Sequence, residues 1–238
     1  KAVMAYCRSN DWQPAFVHTE VKNEELYEKF KFNIQKIGEE AVIDVPDFVS
    51  TTSRNKYFRH IRNKFSKQGY SCGLLAPPHS PAIISRLVQI SDSWLEAPGR
   101  SERGFMLGYF SEAYIQQCEV MVARDAAGTI QAFLNRIPST NPYEANMDFL
   151  RHQKDSPGNI NDYLMINFLN YINNQGIAKF NLGLSPLAGL DKNSAQNSAI
   201  NSSLKFIYAN AGRLYSFDGL RRFKSKYEPK WRSRYICY

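Results

Sequence analysis

Apolar and polar residues follow two rhythms along this chain, one of strands and one of helices. Near the start, PAFVHT (14–19) reads as a short strand, residues 22–31 as a helix, and NIQKIGEEAVIDV (33–45) as containing a strand. Residues 51–69 place Phe58, Ile61 and Phe65 on one stripe, the mark of a helix lying on a core. Thr51, Thr52 or Ser53 can cap its start and Gly69 its end. A strand follows at 71–76, and Pro81 opens a second helix with Ile84, Leu87, Val88, Trp94 and Leu95 on one side. The loop APGRSERGFMLG and a helical turn near 111–117 lead into strands at 118–125, 129–137 and 143–151. Asp125-Ala-Ala-Gly128 joins the first two as a hairpin, with glycine where positive φ is needed. Residues 160–175 repeat Leu164, Phe168 and Ile172, and Gly176 ends that helix. A strand at 178–184 comes next. Residues 190–201, rich in Ser, Asn and Asp, read as flexible. A helix then runs to Ala211, followed by a basic stretch at 217–227 and a last strand, WRSRYICY.

Three strands, helix, strand, helix, strand over 118–238 is the order of GNAT-like acyltransferases, an α/β fold. The third of those strands carries Asp148 and Arg151 as D-x-x-R. In an ideal strand these two point to opposite faces, so the strand must bulge or end between them if both are to line one site. Asp148 lies amid Met147, Phe149 and Leu150, a costly place for a carboxylate unless it is paired. In GEEAVID (38–44), adjacent Glu39 and Glu40 face opposite ways, so at least one is buried or paired, with the basic helix at 51–69 as the expected partner.

Charge sharpens the picture. The 238 residues carry a formal net charge of +8, which favours an anionic partner such as nucleic acid or lipid headgroups. No acidic residue separates Asp47 from Asp92, yet Arg54, Lys56, Arg59, Arg62, Lys64 and Lys67 fall there. Arg221, Arg222, Lys224, Lys226, Lys230, Arg232 and Arg234 stand against Glu228 near the C-terminus, interleaved with Tyr227 and Trp231, which suits a phosphate-rich ligand with stackable bases. The four cysteines include no CxxC and the four histidines have no metal-ligand spacing, so neither a disulfide framework nor a zinc site is expected. No apolar run approaches the roughly 18–20 residues that span a bilayer. SPGN (156–159) precedes a helix N-terminus, which attracts anions, but has one glycine where the pyrophosphate loop of coenzyme A-dependent GNAT enzymes needs two. That counts against coenzyme A as donor.

Several segments together resemble one family. They are GEEAVID (38–44), RNKYFRHIRNKFSKQGY (54–70), ISDSWL (90–95), RGFMLGYF (103–110), MDFLRH (147–152), FNLGLSPLAGL (180–190) and YSFDGLRRFKSKYEPKWRSRY (215–235). In order and spacing they are similar to the C-terminal domain of bacterial multiple peptide resistance factors, the phosphatidylglycerol lysyl- and alanyltransferases. The resemblance implies a tandem GNAT-like fold whose first unit is truncated: residues 1–50 as its remnant, 51–69 as a basic linking helix, and 70–238 as the catalytic unit. It implies transfer of lysine or alanine from aminoacyl-tRNA to phosphatidylglycerol. That reaction lowers membrane negative charge and confers resistance to cationic antimicrobial peptides. Asp148 and Arg151 match the family's active-site D-x-x-R. Lys224 and Lys226 match basic residues near lipid or tRNA phosphate, and Glu40, Arg54 and Tyr109 join them as substrate-binding candidates. No metal and no cofactor is implied. The partners are aminoacyl-tRNA, phosphatidylglycerol with the anionic membrane surface, and a preceding membrane (flippase) domain, with the catalytic part at the cytoplasmic face of the plasma membrane. Two other readings stay open: a related aminoacyltransferase with another acceptor, and a non-catalytic module that only binds tRNA or membrane.

Overall fold

A computed structural model describes residues 2–20, 22, 24–97, 102, 109–186 and 217–238. The expected flexible stretch at 190–201, the helix to Ala211 and most of the loop after Trp94 lie outside the described residues. The elements in chain order are α1 (Ala2–Ser9), β1 (Phe16–Thr19), α2 (Glu24–Lys29), β2 (Ile34–Asp44), α3 (Val45–Ser50), α4 (Lys56–Lys67), β3 (Ser71–Leu75), α5 (Pro81–Leu95) and α6 (Glu112–Ile115). There follow β4 (Glu119–Arg124), β5 (Ile130–Arg136), β6 (Glu144–Asn146), β7 (Leu150–His152), α7 (Ile160–Asn174), β8 (Lys179–Pro186), α8 (Phe217–Ser225) and β9 (Lys230–Cys237). The mixed α/β fold expected from the sequence is the one found.

The chain forms two compact units that do not follow chain order. One holds residues 1–41, 183–225 and 230–238; the other holds 42–182 and 226–229. In the larger unit β3, β4, β5 and β7 make an antiparallel sheet in the order β3-β4-β5-β7. Val120 and Val122 of β4 join Ile84, Leu87 and Ile90 of α5 in one buried cluster. Met121 and Ala123 alternate with them and are buried too, so the sheet is covered on both faces. Leu164, Phe168 and Ile172, the stripe on α7, are fully buried. Phe58, Ile61 and Phe65 bury one face of α4 as their spacing predicts, with Phe58 against Phe48 and Phe65 stacked on Tyr163 of α7.

Three expectations are corrected. The strand at 143–151 is two strands: β6 runs parallel to the start of β8, while β7 pairs antiparallel with β5 in the other sheet. The cap of α4 is Asn55, whose side chain accepts from the Phe58 N–H at 2.9 Å. Thr52–Arg54 form a 3-10 turn ahead of it, which removes Thr51–Ser53 from the capping position. Glu39 and Glu40 pair with C-terminal arginines rather than with the basic helix: Arg221 reaches Glu39 at 2.8 Å and Arg234 reaches Glu40 at 2.6 Å.

In the smaller unit β1 pairs antiparallel with β9, β9 lies beside β2, and β2 beside the end of β8. Gly38 of β2 has φ +154°, and a Cβ there would stand 2.5 Å from the Ser185 carbonyl oxygen, so only glycine permits this approach of the strands.

Candidate active site

The break between β6 and β7 creates the feature the D-x-x-R spacing demanded. Asn135 of β5 is fully buried, and its Oδ1 accepts from the backbone amides of Asp148 (3.2 Å) and Phe149 (2.8 Å). These bonds replace ladder bonds where the chain leaves one sheet for the other. Asp148 is thereby exposed at the break, while Arg151, three residues on and inside β7, is buried at 5% exposure. The strand ends between them, so alternation no longer sets their directions.

Asp148 is paired as its apolar neighbours required: the Tyr114 hydroxyl donates to its Oδ2. Tyr114 sits in α6, whose start is capped by Ser111. Burial, and then the Asp148 carboxylate, raise the Tyr114 hydroxyl well above the ordinary tyrosine range. Arg151 donates to Ser91 and, at 2.7 Å, to Glu102. Its guanidinium also lies 4.6 Å from the ring centre of Phe149, 5.1 Å from Trp94 and 5.9 Å from Phe110. Three rings and an anion hold this cation in place at low dielectric.

A second polar cluster in the same unit surrounds Asp162, in the first turn of α7. Its carboxylate, 2% exposed, accepts from Tyr227 at 2.6 Å, Tyr57 at 2.7 Å and Lys226 at 2.8 Å to both oxygens. Burial first, and this carboxylate second, raise the Tyr57 hydroxyl and drive Tyr227 far above its usual range. Lys226 is thus engaged inside the protein, with its side chain about a third exposed. On α4, Lys64 donates to the Gly158 carbonyl at 2.7 Å, which ties the basic helix to the SPGN loop.

In the smaller unit Lys224 is 4% exposed, and its ammonium donates to the consecutive carbonyls of Gly183 and Leu184, each at 2.9 Å. Successive strand carbonyls normally point opposite ways; Gly183, at φ +76°, leaves strand geometry, and both carbonyls reach one cation. Burial lowers Lys224 to about 8, against a smaller opposing pull from Glu40. Glu40 is buried and takes Arg234 at 2.6 Å and His18 at 3.5 Å. Arg234 also reaches Glu20 at 2.6 Å, which with Lys22 pushes the Glu20 carboxyl down to about 2.

Glu40 and Lys224 therefore lie in one electrostatic neighbourhood, and Asp148 and Arg151 flank one strand break. Arg54 is exposed beside α4, and Tyr109 is 62% exposed. The sequence reading missed Tyr114, Asn135 and Asp162, and placed Arg234 in the basic C-terminal cluster for an anionic ligand, whereas it is paired with Glu20 and Glu40. A signal existed for Asn135, an amide in the apolar run AFLNR, and for Asp162, a carboxylate in the first turn of a helix. Among the described residues, no three His, Cys, Asp or Glu side chains group as a metal site.

The profile of the family described as phosphatidylglycerol lysyltransferase, C-terminal, matches residues 1–238. The chain belongs to this family. It is 36% identical over 228 residues to the phosphatidylglycerol lysyltransferase of Bacillus subtilis (strain 168), covering 94% of this chain and 26% of that protein. It is 31% identical over 214 residues to that of Staphylococcus aureus (strain N315), covering 90% of this chain and 25% of that one. It thus spans about a quarter of the length of these curated relatives. Among solved structures it is similar to L-PGS from Bacillus licheniformis, with TM-score 0.81 and 32% identity over 99% of this chain and 70% of that one. It is also similar to the C-terminal domain (DUF2156) of a putative lysylphosphatidylglycerol synthetase from Agrobacterium fabrum, with TM-score 0.78 and 28% identity over 98% and 70% of the two chains. Within this phosphatidylglycerol lysyltransferase family, the fold of the chain is the family fold.

Proposed function

We propose that this chain carries the transfer step of an aminoacyl-phosphatidylglycerol synthase. In that step a glycerol hydroxyl of phosphatidylglycerol attacks the ester carbonyl of aminoacyl-tRNA. The new bond joins the glycerol oxygen to the acyl carbon, the bond to the tRNA ribose oxygen breaks, and the hydroxyl proton passes to that ribose oxygen. One ester replaces another, so catalysis rests mainly on holding two bulky substrates together. Asp148 orients the incoming hydroxyl or the substrate's amino group. Arg151 is the cation for phosphate or developing oxyanion, with Glu102 as the anion exchanged for it. The observation that carries this reading is the family match across the whole chain. The exposed carboxylate held by Tyr114, and the caged guanidinium three residues on, support it.

Lysine is the transferred amino acid favoured by the names of the relatives. The exposed cations of Arg54 and α4 bind tRNA acceptor-stem phosphates and the anionic membrane surface. Glu40, Lys224, Lys226 and Tyr109 are each substrate-binding candidates on the family resemblance alone. By ancestry we assign residues 1–50 to the remnant of a first GNAT-like unit, 51–69 to the linking helix and 70–238 to the catalytic unit. In the full-length protein a membrane domain precedes them, the chain works at the cytoplasmic face, and its product lowers membrane charge and protects against cationic peptides.

The test is transfer to phosphatidylglycerol vesicles from a panel of charged tRNAs, read by thin-layer separation of labelled lipid. Lysyl-phosphatidylglycerol should form from lysyl-tRNA, be lost in Asp148→Asn and Arg151→Ala, and fall steeply as salt rises. Full turnover in both variants refutes the assigned roles. Binding without any lipid product refutes the enzyme.

A further inference from the structure

We infer that Asn135 and Tyr114 are positioning residues for Asp148, ordering a one-way chain of hydrogen bonds from Asn135 Nδ2 through the Tyr114 hydroxyl to Asp148 Oδ2. The inference deepens the transferase reading and rests on it. Its starting point is a constraint from the backbone. The amides of Asp148 and Phe149 can only donate, so the Asn135 atom that faces them, at 3.2 and 2.8 Å, is the carbonyl oxygen. That fixes the amide without reference to any flip. Both lone pairs of Oδ1 are then spent.

The Nδ2 hydrogens have two destinations, Tyr114 Oη at 3.5 Å and Cys118 Sγ at 3.6 Å. The Cys118 thiol proton goes to the Tyr114 backbone carbonyl at 3.4 Å, so its sulfur accepts from Asn135. Tyr114 Oη therefore accepts from Asn135 and has its single proton left for Asp148. Every polar atom of the fully buried Asn135 amide is used. Burial and the neighbouring carboxylate keep the proton on Tyr114 across working pH.

Two effects follow for Asp148. One oxygen is tethered, so the carboxylate cannot swing. The other, Oδ1, takes no part in this chain of bonds and is the one assigned to an incoming hydroxyl or ammonium. Asn135 thus ends the strand and aims the acid with one side chain.

The test compares wild type, Tyr114→Phe and Asn135→Asp. Tyr114→Phe keeps the ring that packs on Phe149, with centroids 6.1 Å apart, and removes the hydroxyl, both the donor to Asp148 and the acceptor from Asn135. It should lower kcat for lipid aminoacylation about 10- to 100-fold, as expected for a lost hydrogen bond to a charged group, with both KM values unchanged and the protein still folded. Asn135→Asp keeps the acceptor for the two amides and turns the donor end into an acceptor, which draws the tyrosine proton away from Asp148. It should lose kcat at least as strongly. A second readout needs no turnover: proton NMR of the wild type should show a far-downfield hydroxyl resonance that disappears in Tyr114→Phe and moves upfield in Asp148→Asn. Wild-type kcat in Tyr114→Phe, or a resonance indifferent to Asp148→Asn, overturns the inference. If the wild type transfers nothing, the transferase reading fails, and the NMR arm alone decides whether the chain of bonds exists.

Discussion

Removing one ammonium discriminates between a lysine held for the fold and one held for a ligand. In Lys226→Met the apolar stem stays and the charge goes. Asp162 then keeps two phenol donors, at 2.6 and 2.7 Å, and loses contacts at 2.8 Å to both of its oxygens. Breaking a fully buried ion pair by deleting one partner costs about 3–5 kcal/mol. The Lys226 side chain is 30% exposed, so water already screens part of the pair, and the remaining phenols and the α7 N-terminus still stabilise the carboxylate. The expected loss is about 2 kcal/mol. For a chain of this size that lowers the melting temperature by about 4–8 °C. Urea denaturation should be run with neither tRNA nor lipid present, on wild type, Lys226→Met, Asp162→Asn and the double variant. The double variant should be less damaged than the two single losses added together, by about 1 kcal/mol or more. If Lys226→Met unfolds at the wild-type midpoint and the two changes simply add, the cluster contributes no stability and the lysine is free to serve substrate.

Other outcomes follow from the same geometry. Gly38→Ala forces a Cβ to within 2.5 Å of the Ser185 oxygen and should cost about 2–3 kcal/mol in denaturant unfolding; a variant as stable as wild type would mean the strands can part freely. Lys224 has a folded value of about 8 against 10.5, so the unfolded chain binds more protons between those values and the stability contribution rises with pH across them. The stability of wild type minus that of Lys224→Met should therefore climb by about 3 kcal/mol over that window, and a flat difference refutes it. Glu20, at about 2 against 4.5, contributes stability above 4.5 that is lost as pH falls toward 2. Glu20→Gln should flatten acid unfolding there, weakly in high salt because over a third of that side chain is exposed.

Elements with a long, clean period were legible. Phe58, Ile61 and Phe65 fixed the buried face of α4, and Leu164, Phe168 and Ile172 that of α7, because one stripe must meet one core. Asp125 and Gly128 marked the β4–β5 turn, where the carboxylate accepts from Ala127 and Thr129. The β6–β7 break was demanded by Asp148 and Arg151 but could not be located. No glycine or proline marks it, and it is made by Asn135, thirteen positions away in the chain. The arginine partners of Glu39 and Glu40 were unreadable for the same reason: Arg221 and Arg234 lie 182 and 194 residues further on. Short α3 had its signal in Asp44 and Pro46, cap and first-turn proline, but six residues give periodicity nothing to show. The D-x-x-R pair was legible only as a motif; the tyrosine and amide that aim it come from other elements and leave no spacing to find.

Strand β9 has a consequence for how the protein is made. It is inserted between β1 and β2, and Thr19 bonds Tyr235 across 216 residues of chain. Both early strands leave the ribosome long before their common neighbour is translated. Through that interval their open edges invite wrong pairing, and closure must await a contact that brings distant parts of the sequence together. The four-stranded sheet of the larger unit, whose strands lie between residues 71 and 152, can form meanwhile. Synthesis therefore yields a half-built molecule first, and a premature stop before β9 would strand it there, with one sheet finished and the other lacking an interior member.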